Sequence, residues 1–194
     1  MQRNPLRSVA WVPVIIAVGA GGLALRRGAD AGAAALPVYG QVPAFSLVDQ
    51  HRQAVSNRTL QGSPWIADFI FTRCSGQCPM MSAQMAQIGS AVPEAIRLVS
   101  FTVDPAWDTP EVLANYARDY AADSRWSFVT GDPDVIRRLC REGFQLSVSE
   151  ESDPQQLTHS SRLALVDRDG RIRGYYEAGD EAAMRQLRRD AKAL

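Results

Sequence analysis

The feature that most constrains this chain is the run Trp65 to Phe71, an apolar, aromatic and β-branched segment broken only by Asp68. A run of that length and composition reads as a strand buried inside a sheet. It passes directly into Thr72-Arg73-Cys74-Ser75-Gly76-Gln77-Cys78-Pro79, a polar loop that brings two cysteines to the mouth of a helix. Pro79 suits the first helical position, where its missing N–H would have no partner, which makes Cys78 the expected N-cap. A thiol there faces unpaired backbone N–H groups and the positive end of the helix dipole, so Cys78 is expected to ionise readily. The thiolate is the form that binds metals and attacks disulfides.

The remaining segments alternate between strand and helix. Phe45 to Val48 and Gln53 to Val55 read as a hairpin around Asp49-Gln50-His51-Arg52. A helix is expected from Pro79 to about Ser90, with Met81, Met85 and Ile88 at helical spacing, then a strand from Ala95 to Val103. Thr109 and Pro110 open another helix as N-cap and first residue, with Val112, Leu113, Tyr116, Ala117 and Tyr120 as its apolar stripe. Trp126 to Val129 is a short strand, and Asp132-Pro133 caps a helix facing inward through Val135, Ile136, Leu139 and Cys140. Gln145 to Leu157 is polar and acidic and reads as a long exposed loop. Arg162 to Val166 and Arg171 to Tyr176 pair around the turn Asp167-Arg168-Asp169-Gly170, and Ala182 to Ala193 closes the chain as a helix. This order predicts an α/β, thioredoxin-like domain over residues 41–194: a central mixed sheet with flanking helices on both faces.

Ahead of it, residues 8–25 carry no charge. As a helix they would span roughly 26 Å, slightly short of a bilayer's hydrocarbon core, with flanking arginines able to snorkel. Residues 1–27 are expected to form a single N-terminal membrane anchor, with a cleaved secretory signal as the alternative, because Ala31-Gly32-Ala33 and Ala33-Ala34-Ala35 both resemble cleavage sites. Arg26-Arg27 directly after the apolar run favours the anchor. Arg3 and Arg7 on one side balance Arg26 and Arg27 on the other, so charge does not set the orientation. Residues 28–40, rich in Ala and Gly, read as a flexible tether. Lys plus Arg and Asp plus Glu balance at 21 each, so nothing calls for a nucleic-acid partner.

The chemistry falls on few residues. The chain has three cysteines, Cys74, Cys78 and Cys140, and two histidines, His51 and His159. A static Cys74–Cys78 disulfide is one reading, but it would close a very small loop and stabilise little. Ordinary thioredoxins carry two residues between their cysteines; here there are three, which leaves room for both sulfurs to face one ion. Two thiolates and one imidazole form a soft, low-coordinate set suited to copper, whereas a structural zinc site would want a fourth ligand. His159 is the candidate third ligand, standing just before the strand at Arg162, where thioredoxin-like reductases keep a cis-proline. His51 is expected to be exposed on its turn. Cys140 is expected to be a buried, inert thiol, and Met81 and Met85 to be core, with Met80 beside the cap. Asp68 lies six residues before Cys74, the spacing at which thioredoxins hold a buried acid able to take a proton from the deeper cysteine; if buried, it should titrate abnormally. Asp104 and Asp108 are expected to cap turns and helices, a supporting role beside the metal being the alternative.

The chain resembles the Sco/SenC family of copper-binding assembly factors for cytochrome c oxidase. The likeness is carried by Phe71-Thr72-Arg73-Cys74-x-x-x-Cys78-Pro79, Val103-Asp104-Pro105-x-x-Asp108-Thr109-Pro110-Glu111, His159-Ser160-Ser161 and Val166-Asp167-x-x-Gly170. It implies a thioredoxin-like fold on a membrane tether, on the periplasmic face of a bacterial inner membrane. It also implies one copper ion per chain, Cu(I) or Cu(II), held by Cys74, Cys78 and His159. The partner implied is cytochrome c oxidase subunit II or another copper acceptor, whose binuclear copper site the family loads or reduces. Ser75 and Thr158 depart from the proline and the acidic residue common at those positions in the family. The competing expectation is a thiol–disulfide oxidoreductase working through Cys74 and Cys78 on exported protein thiols. A peroxidase of the peroxiredoxin type lacks its proline and threonine at the required spacing.

Overall fold

The computed structural model describes residues 36–146 and 160–194. The expected anchor at residues 1–27, most of the tether at 28–40, most of the Gln145–Leu157 loop and His159 lie outside the described residues. Among the described residues no helix is long and apolar enough to cross a membrane.

The strands are β1 (Gly40–Gln41), β2 (Ser46–Asp49), β3 (Ala54–Ser56), β4 (Trp65–Ile70), β5 (Arg97–Thr102), β6 (Trp126–Thr130), β7 (Arg162–Val166) and β8 (Arg171–Glu177). The helices are α1 (Asn57–Leu60), α2 (Gln77–Ala91), α3 (Pro110–Asp119), α4 (Pro133–Arg138) and α5 (Glu181–Lys192). One mixed sheet holds the strands in the order β1-β8-β7-β4-β5-β6-β2-β3. The pairs β4–β5 and β5–β6 are parallel and the others antiparallel. This is the expected thioredoxin-like arrangement.

Side chains alternate across a strand, and β4 shows the consequence. Ile66 and Ile70 join one buried cluster with Met81, Met85 and Ile88 of α2, Leu113 of α3, and Met184 and Leu187 of α5. Trp65, Ala67 and Phe69 join a second cluster with Leu60 of α1 and Ile136 of α4. Every residue of β4 is buried, which is why its sequence lacks the alternation of a half-exposed strand.

Two short elements escaped the sequence reading. β1 makes only two pairs with β8, and α1 is one turn held by a Ser56–Thr59 capping box, too brief to show a period. Upstream of β1 the chain is already held: the Arg173 guanidinium donates to the carbonyls of Leu36 and Pro37, and Leu36 packs against the first cluster. At the β7–β8 turn, Asp167 accepts from the N–H groups of Asp169 and Arg171 at 3.0 and 2.9 Å. Gly170 there adopts φ +78°, a conformation natural to glycine.

Candidate metal and thiol site

The cysteine loop leaves the C-terminal end of β4. Cys74 N donates to Phe71 O at 3.2 Å, which bends the chain back. Helix α2 then begins at Gln77 with Gly76 as N-cap, so Cys78 is the second helical residue and Pro79 the third. That corrects the expectation of Cys78 at the cap. Pro79 is tolerated because the first four N–H groups of a helix lack intrahelical partners in any case. The shift has a chemical consequence. Cys78 opens the buried stripe of α2, which continues through Met81, Ser82, Met85, Ile88 and Gly89, and is 0% exposed. Burial pushes its thiol well above the ordinary cysteine range, countered by a backbone hydrogen bond from Phe71 and reinforced by Cys74 and the charge of Asp68. The expectation that Cys78 ionises readily is therefore overturned for the metal-free protein, because desolvation outweighs the helix end.

Cys74 is half-buried and close enough to Cys78 to affect its proton directly. No disulfide joins any of the three cysteines. Cys140 lies on a π-helical turn, Leu139–Gly143, that continues α4 into the second cluster; burial pushes its thiol up to about 12, as expected of an inert core cysteine. Met81 and Met85 are fully buried core residues, and Met80 packs at the edge of the same cluster. His51 is exposed. Among the described residues no three or more His, Cys, Asp or Glu side chains are grouped to hold a metal ion.

His159 itself lies outside the described residues, but its neighbours orient the question. β7 runs antiparallel to β4 with Ala67 opposite Ala164. The start of β7 therefore lies at the end of the sheet where β4 delivers the cysteine loop, and Ser161 is tied there to Ala178 N.

Behind the sulfurs stands Asp68, 0% exposed, on the α2 side of β4 with Ile66 and Ile70. Neither carboxylate oxygen has a hydrogen-bond partner. Burial lifts its pKa to about 7; its cross-strand neighbour Ser100 softens the shift without reaching bonding geometry. This is the abnormal titration anticipated for a buried acid. On the far side of Cys78, the Ser82 and Tyr116 hydroxyls meet at 2.9 Å, and burial, aided by Tyr120 and Cys78, drives the Tyr116 phenol above its ordinary range against the pull of Ser82.

Asp104 and Asp108 do more than cap turns. Arg73 donates to Asp104 Oδ2 through Nε at 3.2 Å and Nη2 at 2.5 Å, and its guanidinium lies 4.5 Å over the Trp107 ring. Asp108 accepts from Thr72 N at 3.2 Å, Thr72 Oγ1 at 2.5 Å and Thr102 Oγ1 at 2.5 Å. Thr72 and Thr102 were not singled out from the sequence. The available signal was the parallel β4–β5 pairing, which places the loops after the two strands side by side.

A thioredoxin-like fold with two unbridged cysteines where a central strand meets a helix defines a protein of that class with a paired-cysteine site. The SCO1/SenC family model matches residues 37–192, and the chain belongs to that family. It is 30% identical to the SCO1 protein homolog of Bacillus subtilis (strain 168) over 162 residues, covering 81% of this chain and 84% of that protein. A putative copper-binding protein of Stutzerimonas stutzeri is 35% identical over 149 residues, 74% of this chain and 72% of that one. Among solved structures, a SCO1/SenC family lipoprotein from Bacillus anthracis str. Ames aligns with TM-score 0.74 and 29% identity, over 80% of this chain and 95% of that one. BsSco, a member of the Sco family of cytochrome c oxidase assembly proteins in which a disulfide switch was identified, gives 0.72 and 29%, over 81% and 95%. Bradyrhizobium japonicum ScoI with copper bound gives 0.63 and 25%, over 77% and 98%.

Proposed function

We propose that this protein is a copper carrier in which Cys74, Cys78 and His159 take up one copper ion per chain as cargo, in the Cu(I) or Cu(II) state. The observation that carries the reading is the pair of unbridged cysteines, Cys74 and Cys78, close enough to interact, at the sheet end where β7 begins. Thiolates and an imidazole are the soft donors that copper favours. The copper-bound ScoI structure and the copper-binding relative support it. Uptake must displace the proton of the buried Cys78 thiol, so binding is expected to weaken as pH falls. The acceptor we propose is cytochrome c oxidase subunit II, at its binuclear copper site, in keeping with the assembly role of BsSco. We further assign residues 1–27 as a membrane anchor and the domain to the exported, periplasmic side of a bacterial inner membrane, with the tether ending earlier than the expected residue 40, because Leu36 and Pro37 are already held by Arg173 and β1 begins at Gly40. The lipoprotein relative supports attachment to a membrane.

The test is metal analysis, copper absorption and spin-resonance spectra of the detergent-solubilised full chain with and without His159→Ala. One copper per wild-type chain and loss of binding in the variant are expected. Equal stoichiometry and affinity in both would overturn the three-ligand site.

A second reading, a thiol–disulfide oxidoreductase acting on exported protein thiols, draws on Asp68, an unpartnered buried acid whose charge Cys78 senses, and on the disulfide switch of BsSco. It needs Cys74 and Cys78 but not His159. Trapping a mixed disulfide with Cys74→Ser or Cys78→Ser would support it; a pair that fails to exchange with partner thiols would exclude it.

A further inference from the structure

One buried carboxylate is tied to the foot of the cysteine loop. Asp108 is 0% exposed and gathers three donors from two other segments: Thr72 through N and Oγ1, and Thr102 through Oγ1. Thr102 ends β5 directly opposite Ile70, the last residue of β4. Its hydroxyl also accepts from Asp104 N at 2.9 Å, Asp108 N donates to Asp104 O at 2.9 Å, and Asp104 holds Arg73. The network thus closes on Thr72 and Arg73, the two residues that immediately precede Cys74.

The two sulfurs are held by different means. Cys78 belongs to the buried stripe of α2 and is packed in place with that helix. Cys74 rides on a loop whose next two residues, Ser75 and Gly76, are exposed before α2 begins at Gln77. Cys74 also packs at the edge of the first cluster and donates its N–H to Phe71 O, and the fixed point immediately before it sets where the loop delivers it beside Cys78.

We propose that Asp108 is a positioning residue for Cys74: by stapling Thr72 to the end of β5, it holds Cys74 beside Cys78 as a pair of free thiols. The staple favours capture of a soft metal ion over closure of the disulfide. The metal half of this inference rests on the copper-carrier reading; the disulfide half does not. In closure, the two thiols lose two protons and two electrons to oxidised glutathione, which leaves as two reduced glutathione molecules, and an S–S bond forms.

The test uses the full chain in detergent, wild type against Asp108→Asn, which keeps the size of the side chain but removes a charged acceptor. Two constants are read: Cu(I) affinity by competition with a chromophoric chelator, and the dithiol–disulfide equilibrium of the metal-free protein in glutathione buffers. A loss of about 10–100-fold in Cu(I) affinity is expected, the range typical of outer-shell partners. The disulfide should become favoured by about tenfold, or about 30 mV for this two-electron couple. Thr72→Val and Thr102→Val each remove one donor and should give smaller shifts of the same sign. Asp108→Asn combined with Thr72→Val should fall short of the sum of the single effects. A general loss of stability lowers the melting temperature without a matching change in either constant. Asp108→Asn folded, with both constants within twofold of wild type, overturns the proposal. If Asp108→Asn does not fold, both threonine variants at wild-type values overturn it instead. A wild-type chain that binds no Cu(I) counts against the copper carrier, and the glutathione equilibrium then decides the staple alone.

Discussion

The two faces of the sheet each bury a cysteine, and they treat it in opposite ways. On the α4 face, Cys140 lies in the cluster built around the rings of Phe45, Trp65, Phe69, Phe101 and Phe144, which meet stacked, tilted or edge-on with centroids as close as 5.2 Å. On the α2 face, Cys78 has Cys74, the Asp68 charge and the Ser82–Tyr116 pair within electrostatic reach. Burial raises the thiol pKa on both faces, so depth does not separate the thiol proposed as a copper ligand from the core cysteine. The difference lies in what shares the interior with it. The aromatic face is optimised for packing, whereas the other face keeps unpartnered or hydrogen-bonded polar groups that cost stability and are retained beside the sulfurs.

The sharpest way to break this contrast is to exchange the cysteines one at a time. Cys74→Ser and Cys78→Ser should each abolish stoichiometric copper uptake by the full chain, while Cys140→Ala should leave it at the wild-type level; equal losses in all three would erase the distinction between the faces. Next in size is the aromatic face itself. Phe101→Ala removes the ring at the centre of the second cluster and should cost about 3–5 kcal/mol in urea unfolding, with copper stoichiometry preserved in the folded fraction.

The polar face should show the reverse effect. Asp68 keeps its proton up to about 7 when folded, against roughly 3.9 for an ordinary aspartate. Between those values the unfolded chain binds fewer protons, so stability falls as pH rises from about 4 to about 7 and levels off above. Asp68→Asn should flatten that slope and stabilise the protein near pH 8 by on the order of 4 kcal/mol. A slope that survives the substitution would place its origin elsewhere. The smallest expected change lies at the exposed start of α3. The Thr109 hydroxyl caps α3 by accepting from Val112 N, and Thr109→Ala should lower the unfolding free energy by about 1 kcal/mol, leaving copper affinity unchanged.

Much of this could be read from the chain because it depends on local order. The all-apolar run of β4, the Thr109-Pro110 and Asp132-Pro133 helix starts, and the turn at Asp167–Gly170 each rest on spacing within a few residues. The pairing of Cys74 with Cys78 belongs to the same kind. Other features were illegible for physical reasons. Whether Asp68 meets solvent depends on which face of β4 receives α2, since alternation assigns it a side but not a neighbour. The starting residue of α2 was misjudged because a proline is tolerated at any of the first helical positions, and that small shift turned Cys78 from an activated cap into a buried thiol.

By itself, then, the sequence determined which residues could do chemistry, the alternation of strands and helices, and the placement of two thiols where a central strand meets a helix. Tertiary structure alone decided how those thiols behave. Desolvation beneath α2 raises the proton affinity of Cys78, and the parallel pairing of β4 with β5 lays the Asp104–Thr109 loop against the cysteine loop. Asp108 can grip Thr72 only because those strands lie side by side, a contact between residues 36 positions apart that no local periodicity encodes.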